Sequence, residues 1–132
     1  MLIHPLPVLA AAVAAFILGA VWYTALSRPW QAALGRADDE IKTGGAPPPL
    51  ALLTTFVAEL IIAVVLSLLL HKIGRTGILS GLKLSVICWL FVVTTVAVNN
   101  AYPGRKLALT VIDSAHWLLV LAAEGAIIGA LH

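Results

Sequence analysis

The chain has 132 residues, 61% of them hydrophobic and 11% charged, with a formal net charge of +2. A soluble domain carries about a quarter charged residues and needs a polar skin around its core, so this composition excludes an ordinary water-soluble fold. The few lysines and arginines do not make the one-sided basic surface that nucleic-acid binding requires, and a single cysteine, Cys88, excludes an intrachain disulfide and any CxxC metal or redox motif.

Four apolar runs remain, each close to the roughly 20 residues that cross a hydrocarbon core as a helix. They predict an all-α polytopic membrane protein: one domain over residues 1–132, with four transmembrane helices in a compact bundle. The first run covers about residues 6–26. It lacks a charged n-region and is too long for the apolar core of a cleavable signal peptide. Pro5 and Pro7 stand at its start, where a missing N–H costs least. Trp22 and Tyr23 near its end, with Trp117 in the last run, have the character of an aromatic belt at headgroup level.

Residues 27–49 form the longest polar segment. Within it, residues 29–42 are compatible with a short interfacial helix, Trp30, Leu34 and Ile41 facing lipid and Arg36, Asp38, Asp39 and Glu40 facing water. Gly44 and Gly45 would stop that helix, and Pro47, Pro48 and Pro49 lead into the second run, about residues 50–70. A tight connector with Gly74 and Gly77 as turn residues precedes the third run, about residues 80–101. Asn99 and Asn100 close that run, and asparagine there is read as a C-cap and turn. The last run covers about residues 107–131.

Four crossings put both termini on one side. The first and third loops share the other side and carry Arg28, Arg36, Lys42, Arg105 and Lys106, against Lys72, Arg75 and Lys83 on the opposite face. The positive-inside rule then makes those loops cytoplasmic and the termini external.

Apolar side chains gain nothing by leaving lipid for one another, so close backbone approach must drive helix association. Ala11, Ala15 and Gly19 recur every four residues on the first helix; Gly125 and Gly129 do so on the fourth, with Ala122, Ala126 and Ala130 beside them. Two small-residue stripes on one helix serve either the internal bundle alone or the bundle and a second subunit. The expected partners are therefore the lipid bilayer and either further copies of the chain or a larger membrane complex.

Charged groups at membrane depth are costly and face a bundle interior or a water-filled path. Glu59 lies near the middle of the second run; Asp113, His116 and Glu124 lie in the fourth. Glu59 and His116 are each about nine residues past the start of their helices on the loop-one, loop-three side. At 1.5 Å per residue both lie roughly 13 Å deep and can meet across the bundle. Asp113 is one turn shallower, near the level of Asn99, Trp22 and Tyr23. Asp113, His116, Trp117 and Glu124 share one face of the fourth helix. Glu59, Asn99, Asp113, His116 and Glu124 are thus the candidate site residues. Three readings compete for them: a proton-responsive or cation-binding site, hydrogen-bonded glue between helices, and a metal site, since one histidine with two carboxylates is a known ligand set. No cofactor and no resident metal are expected, and no nucleotide loop, nucleophile elbow or HExxH pattern asks for an enzyme.

The stretch Leu18-Gly19-Ala20-Val21-Trp22-Tyr23, Trp30 and the loop over residues 34–42, a glycine-led third helix, and Val98-Asn99-Asn100-Ala101-Tyr102-Pro103-Gly104-Arg105-Lys106-Leu107 followed by Ile112-Asp113-Ser114-Ala115-His116-Trp117 and Gly125-Ala126-Ile127-Ile128-Gly129 resemble a bacterial family of small four-helix membrane proteins catalogued only as a domain of unknown function. The resemblance covers nearly the whole chain and implies a four-span fold in a bacterial inner membrane. It implies no activity. It also implies that Asp113 and the Trp22–Tyr23 pair are family features, whereas His116 and Glu124 are particular to this chain. A homo-oligomeric carrier or channel-like protein for a small solute or ion is the function the sequence favours. An accessory subunit of a larger membrane complex is the alternative, and an enzyme acting on a lipid-borne substrate comes third.

Overall fold

The computed structural model describes residues 3–44 and 47–131. Gly45, expected to help stop the interfacial helix, lies outside the described residues. Four long helices, α1 (Pro5–Ala25), α3 (Pro49–Lys72), α4 (Ile78–Ala101) and α5 (Leu107–Leu131), form the bundle, with a short α2 (Ser27–Ala33) between the first two. At 1.5 Å per residue each long helix reaches roughly 30 Å or more, the thickness of a hydrocarbon core. All four are apolar enough to cross one. Large apolar side chains cover the outside, Phe91 being 75% and Ile17 58% exposed. Acyl chains, not water, suit such a surface. The chain is a multi-pass membrane protein.

Helix α5 is the central post, packing against α1, α3 and α4, and against α2 near the first loop. Its apolar stretch is 39% buried inside the protein, whereas that of α4 is 11% buried, so α4 hangs on the bundle mainly through α5. That contact is made of glycines. A Cβ on Gly81 would overlap the backbone carbonyl of Gly125, and one on Gly125 would overlap both the Ser85 hydroxyl and the Gly81 carbonyl. Gly77, with φ 95°, caps α4 in a backbone conformation that side-chain-bearing residues rarely adopt, and its N–H donates to the Gly129 carbonyl at 2.8 Å. Ser85 donates to the Leu121 carbonyl at 2.6 Å. The Gly125–Gly129 stripe is therefore filled by α4. Of its neighbours, Ala122 and Ala126 are half-buried and Ala130 is exposed.

On the other side of α5, the buried Ala11, Ala15 and Gly19 bring α1 close, and Phe16 meets Phe56 of α3 edge-on at 5.7 Å. Val8, Ala11, Ala63, Leu66, Leu70, Leu121 and Ile128 form a dry core. The α1, α3 and α5 segments that supply it lie toward the α3–α4 connector, where Ser67, Ser85 and Glu124 are the buried polar residues; His116, Asp113 and the aromatic residues lie toward the other end.

The polar segment departs from the expected interfacial helix. Leu26 bends the chain directly from α1 into α2, which ends at Ala33; a single 3₁₀ turn follows at Asp38–Glu40. Gln31 organises the return. Its Nε2 donates to the Ser27 hydroxyl at 3.0 Å and the Lys42 carbonyl at 2.7 Å, and its Oε1 accepts from Arg36 and from the Lys42 backbone N–H. A helix running on to residue 42 would forfeit that set. Lys106 Nζ donates to the Ala32 carbonyl at 3.2 Å, which holds the first and third loops at one end of the bundle. Asn99 and Asn100 lie within the last turn of α4, whose cap is Tyr102. The left-handed position of that turn is Gly104, φ 73°.

Leucine at Gly81 or Gly125 is expected to cost about 3 kcal/mol or more, the upper end of overpacking, because the clash is with backbone that cannot step aside. Leucine at the exposed Ala51 of α3 should stay within about 0.5 kcal/mol of wild type. Thermal or SDS-driven unfolding of the detergent-solubilised protein measures both; equal losses at the two kinds of position would refute the α4–α5 contact.

Candidate functional site

Two adjoining groups of polar side chains sit around α5. The inner group is buried. Glu59 on α3 and Glu124 on α5 are 0% exposed, and His116 on α5 is 4% exposed. Among the described residues no protein group hydrogen-bonds to either oxygen of the two carboxylates or to Nδ1 of His116. The small size of Gly19 allows α3 and α5 to present these groups to one another across α1. A Cβ there would stand 2.8 Å from Nε2 of His116 and 3.8 Å from Oε1 of Glu59, so both face the same gap. Glu124 lies eight residues farther along α5, within the electrostatic reach of Glu59.

The outer group opens to the surface. The Tyr23 hydroxyl donates to Oδ1 of Asp113 at 2.6 Å, and the Tyr23 ring lies 4.8 Å from the His116 ring and 5.6 Å from that of Trp30. His116 in turn meets Trp117 edge-on at 4.9 Å. Tyr23 is thus the wall between the two groups, touching the outer carboxylate with its hydroxyl and the inner imidazole with its ring. Tyr23, Trp30, Asn99, Asn100, Asp113 and Trp117 line an open cleft of about 370 Å³ beside that wall.

Glu59 and His116, matched in depth by counting along their helices, do face one gap, and Asp113 lies a turn nearer the surface on the same face of α5. Asn99 stands apart from the buried groups, exposed on the cleft rim, while Asn100 donates to the Thr110 hydroxyl at 3.1 Å. The aromatic residues assigned to a headgroup belt turn inward: Trp22 donates to the Ile112 carbonyl at 3.2 Å, Tyr23 to Asp113, and Trp117 packs on His116. Trp30, expected to face lipid, lines the cleft instead, because the bend at Leu26 turns α2 so that its indole meets the Tyr23 ring edge-on. Trp89, whose indole donates to the Ser114 carbonyl at 2.8 Å, and Ser85 are the interhelical fasteners that sequence reasoning passed over. Among the described residues no three His, Cys, Asp or Glu side chains converge as a metal centre needs, so the metal reading has no geometric support.

The gap at Gly19 yields a coupling test. Gly19→Ala is expected to destabilise the protein by about 1–3 kcal/mol by driving a methyl group against His116, and most of that cost should vanish in the His116→Ala background. A double-mutant cycle on unfolding reads the coupling, expected between about 0.5 and 3 kcal/mol; strictly additive losses would separate the two residues.

No curated protein and no solved structure matches the chain. Residues 6–129 match the family described as "Protein of unknown function (DUF1761)". The matched stretch takes in all four long helices almost end to end, together with both polar groups and the glycine contact. The chain belongs to the DUF1761 family.

Proposed function

We propose that the protein is a homo-oligomeric carrier or channel-like protein for a small solute or ion, whose path runs from the cleft at Asp113 and Asn99 past His116 and Glu59 to Glu124. The observation that carries this reading is the pair of fully buried carboxylates, Glu59 and Glu124, to which no protein group donates a hydrogen bond. Glue between helices requires partners, as Ser85, Trp22, Trp89 and Asn100 have. A buried polar group without one costs several kcal/mol at membrane depth. Carboxylates kept there against that cost are satisfied by something the chain itself does not supply, whether a proton, water or a passing solute.

Carrier fits better than open channel. The polar groups reach the surface on the first- and third-loop side only; toward the α3–α4 connector Leu66, Leu70, Leu121 and Ile128 close the bundle. A second copy is placed along the Ala122, Ala126 and Ala130 stripe, which α4 leaves partly uncovered. The membrane is a bacterial inner membrane, with Arg28, Arg36, Lys42, Arg105 and Lys106 gathered on the cytoplasmic side and the termini outside. The reading includes no catalysis. The accessory-subunit alternative loses the glycine stripe on which it drew, because α4 occupies it. What it retains is the outer face of α4, with Ile87, Leu90 and Phe91 exposed.

Reconstituted into liposomes, the wild-type protein is expected to pass protons, cations or small solutes at rates that Glu59→Gln and Asp113→Asn each reduce about tenfold or more, the scale of one lost charged contact. Fluxes unchanged in both variants would end the carrier reading. Native mass spectrometry from mild detergent checks the assembly: a multiple of this chain alone supports it, and a stoichiometric foreign subunit supports the alternative.

A further inference from the structure

We propose that the cleft between α2, α4 and α5 binds a small organic ammonium ion, with the positive centre among the rings of Tyr23, Trp30 and Trp117 and against the carboxylate of Asp113. As the name of a cargo this rests on the carrier reading above; as a binding site it does not.

The walls choose the chemistry. Aromatic faces attract cations whose hydration shell is weak, most strongly at indole, and rings grouped about one space are how quaternary ammonium ions are held. Here two indoles and a phenol border one cleft of about 370 Å³, at the small end of ligand sites and roomy enough for an ion of a few heavy atoms. Asp113 supplies the counter-charge. It accepts from Tyr23 at 2.6 Å and also has the Trp30 indole as a hydrogen-bonding neighbour, and a carboxylate can accept several donors at once. Asn99 and Asn100 add carboxamide oxygens on the rim.

Other ligands fit less well. A hard divalent cation needs a cage of oxygen ligands, and among the described residues no cluster of three His, Cys, Asp or Glu side chains exists. An anion would meet Asp113. A sugar could stack on the rings, but it would add no counter-charge to a carboxylate at membrane level beyond that of the exposed Arg105. Arg105 is the cationic neighbour whose charge acts on Asp113 from the exposed turn after α4. It competes with a bound cation, so the site makes a signed prediction at a residue outside its walls.

The experiment uses the full chain in nanodiscs of phosphatidylglycerol, which has no ammonium headgroup, titrated with tetramethylammonium and followed by calorimetry or indole fluorescence. Saturable binding is expected, weakened about tenfold or more by Asp113→Asn, about threefold or more by Trp117→Leu, and tightened by Arg105→Gln. Because Arg105 is exposed, its variant tests the site even where changes in the walls disturb folding. The ligand's source is read in discs that also contain phosphatidylcholine and phosphatidylethanolamine. Retention of those lipids over phosphatidylglycerol in native mass spectra, lost in Asp113→Asn, identifies a headgroup; binding of the free ion without lipid preference identifies a soluble solute. No saturable binding together with no lipid preference overturns the proposal, as does binding of a neutral sugar in place of the ion. Ammonium binding without any flux would keep the site and discard the carrier; flux without ammonium binding would do the reverse.

Discussion

In water a helix bundle is held by the apolar surface it hides. In a bilayer that term is nearly absent, because lipid tails solvate leucine as well as another leucine does. What remains is dispersion between closely fitted surfaces and hydrogen bonds that the lipid cannot offer. The contact of Gly77 and Gly81 with Gly125 and Gly129 meets that constraint. With no side chains between them, the backbones of α4 and α5 come close enough for Gly77 to bond across to Gly129 and Ser85 to Leu121. Remove that approach and α4, otherwise little buried, has nothing comparable to hold it. The cleft would lose the wall formed by Asn99 and Asn100. On the opposite flank of α5, Ala11, Ala15 and Gly19 play the same part toward α1 and leave the gap into which His116 and Glu59 point.

The polar residues divide by whether they find partners inside the protein. Trp22, Trp89, Ser85 and Asn100 each donate across a helix interface and so hold register. Thr54, Thr55, Thr94 and Thr95 bond back to their own helices and are neutral in the matter. Glu59 and Glu124 belong to neither class. Their position at full burial without a donor separates them from the structural residues, a distinction invisible in a sequence where all appear as isolated polar letters among apolar ones.

The spans were legible because each apolar run meets polar or glycine-containing punctuation at both ends, and the observed helices begin and end within a few residues of those marks. The depth of Glu59 and His116 was legible because helical rise is fixed and both could be counted from the same membrane face. The facing of each helix was much less so. These helices are apolar on nearly every side, so no polar stripe marks an outside, and Gly81 could not be recognised as the partner of Gly125 from spacing alone. The extent of the helix after Trp30 was misread for a related reason. An amphipathic pattern over residues 29–42 reads as one helix, yet Gln31 offers its amide to Ser27, Arg36 and Lys42 at once and folds the segment back on itself. Side-chain bonds that close a loop in this way leave no periodic trace.

The glycine contact also has a mechanical consequence. It joins α4 to α5 near only one end, while the cleft lies near the other, eighteen residues farther along α4. At 1.5 Å per residue that is a lever arm of about 27 Å, so each degree of tilt about the glycine pivot displaces Asn99 by about 0.5 Å. Beyond the glycines, the Trp89–Ser114 and Asn100–Thr110 hydrogen bonds are what hold that length of α4 against such a tilt. A rotation of a few degrees, smaller than the ordinary scatter among helix crossing angles, would move Asn100 out of reach of Thr110, so the shape of the cleft depends on that one bond at the far end of the lever.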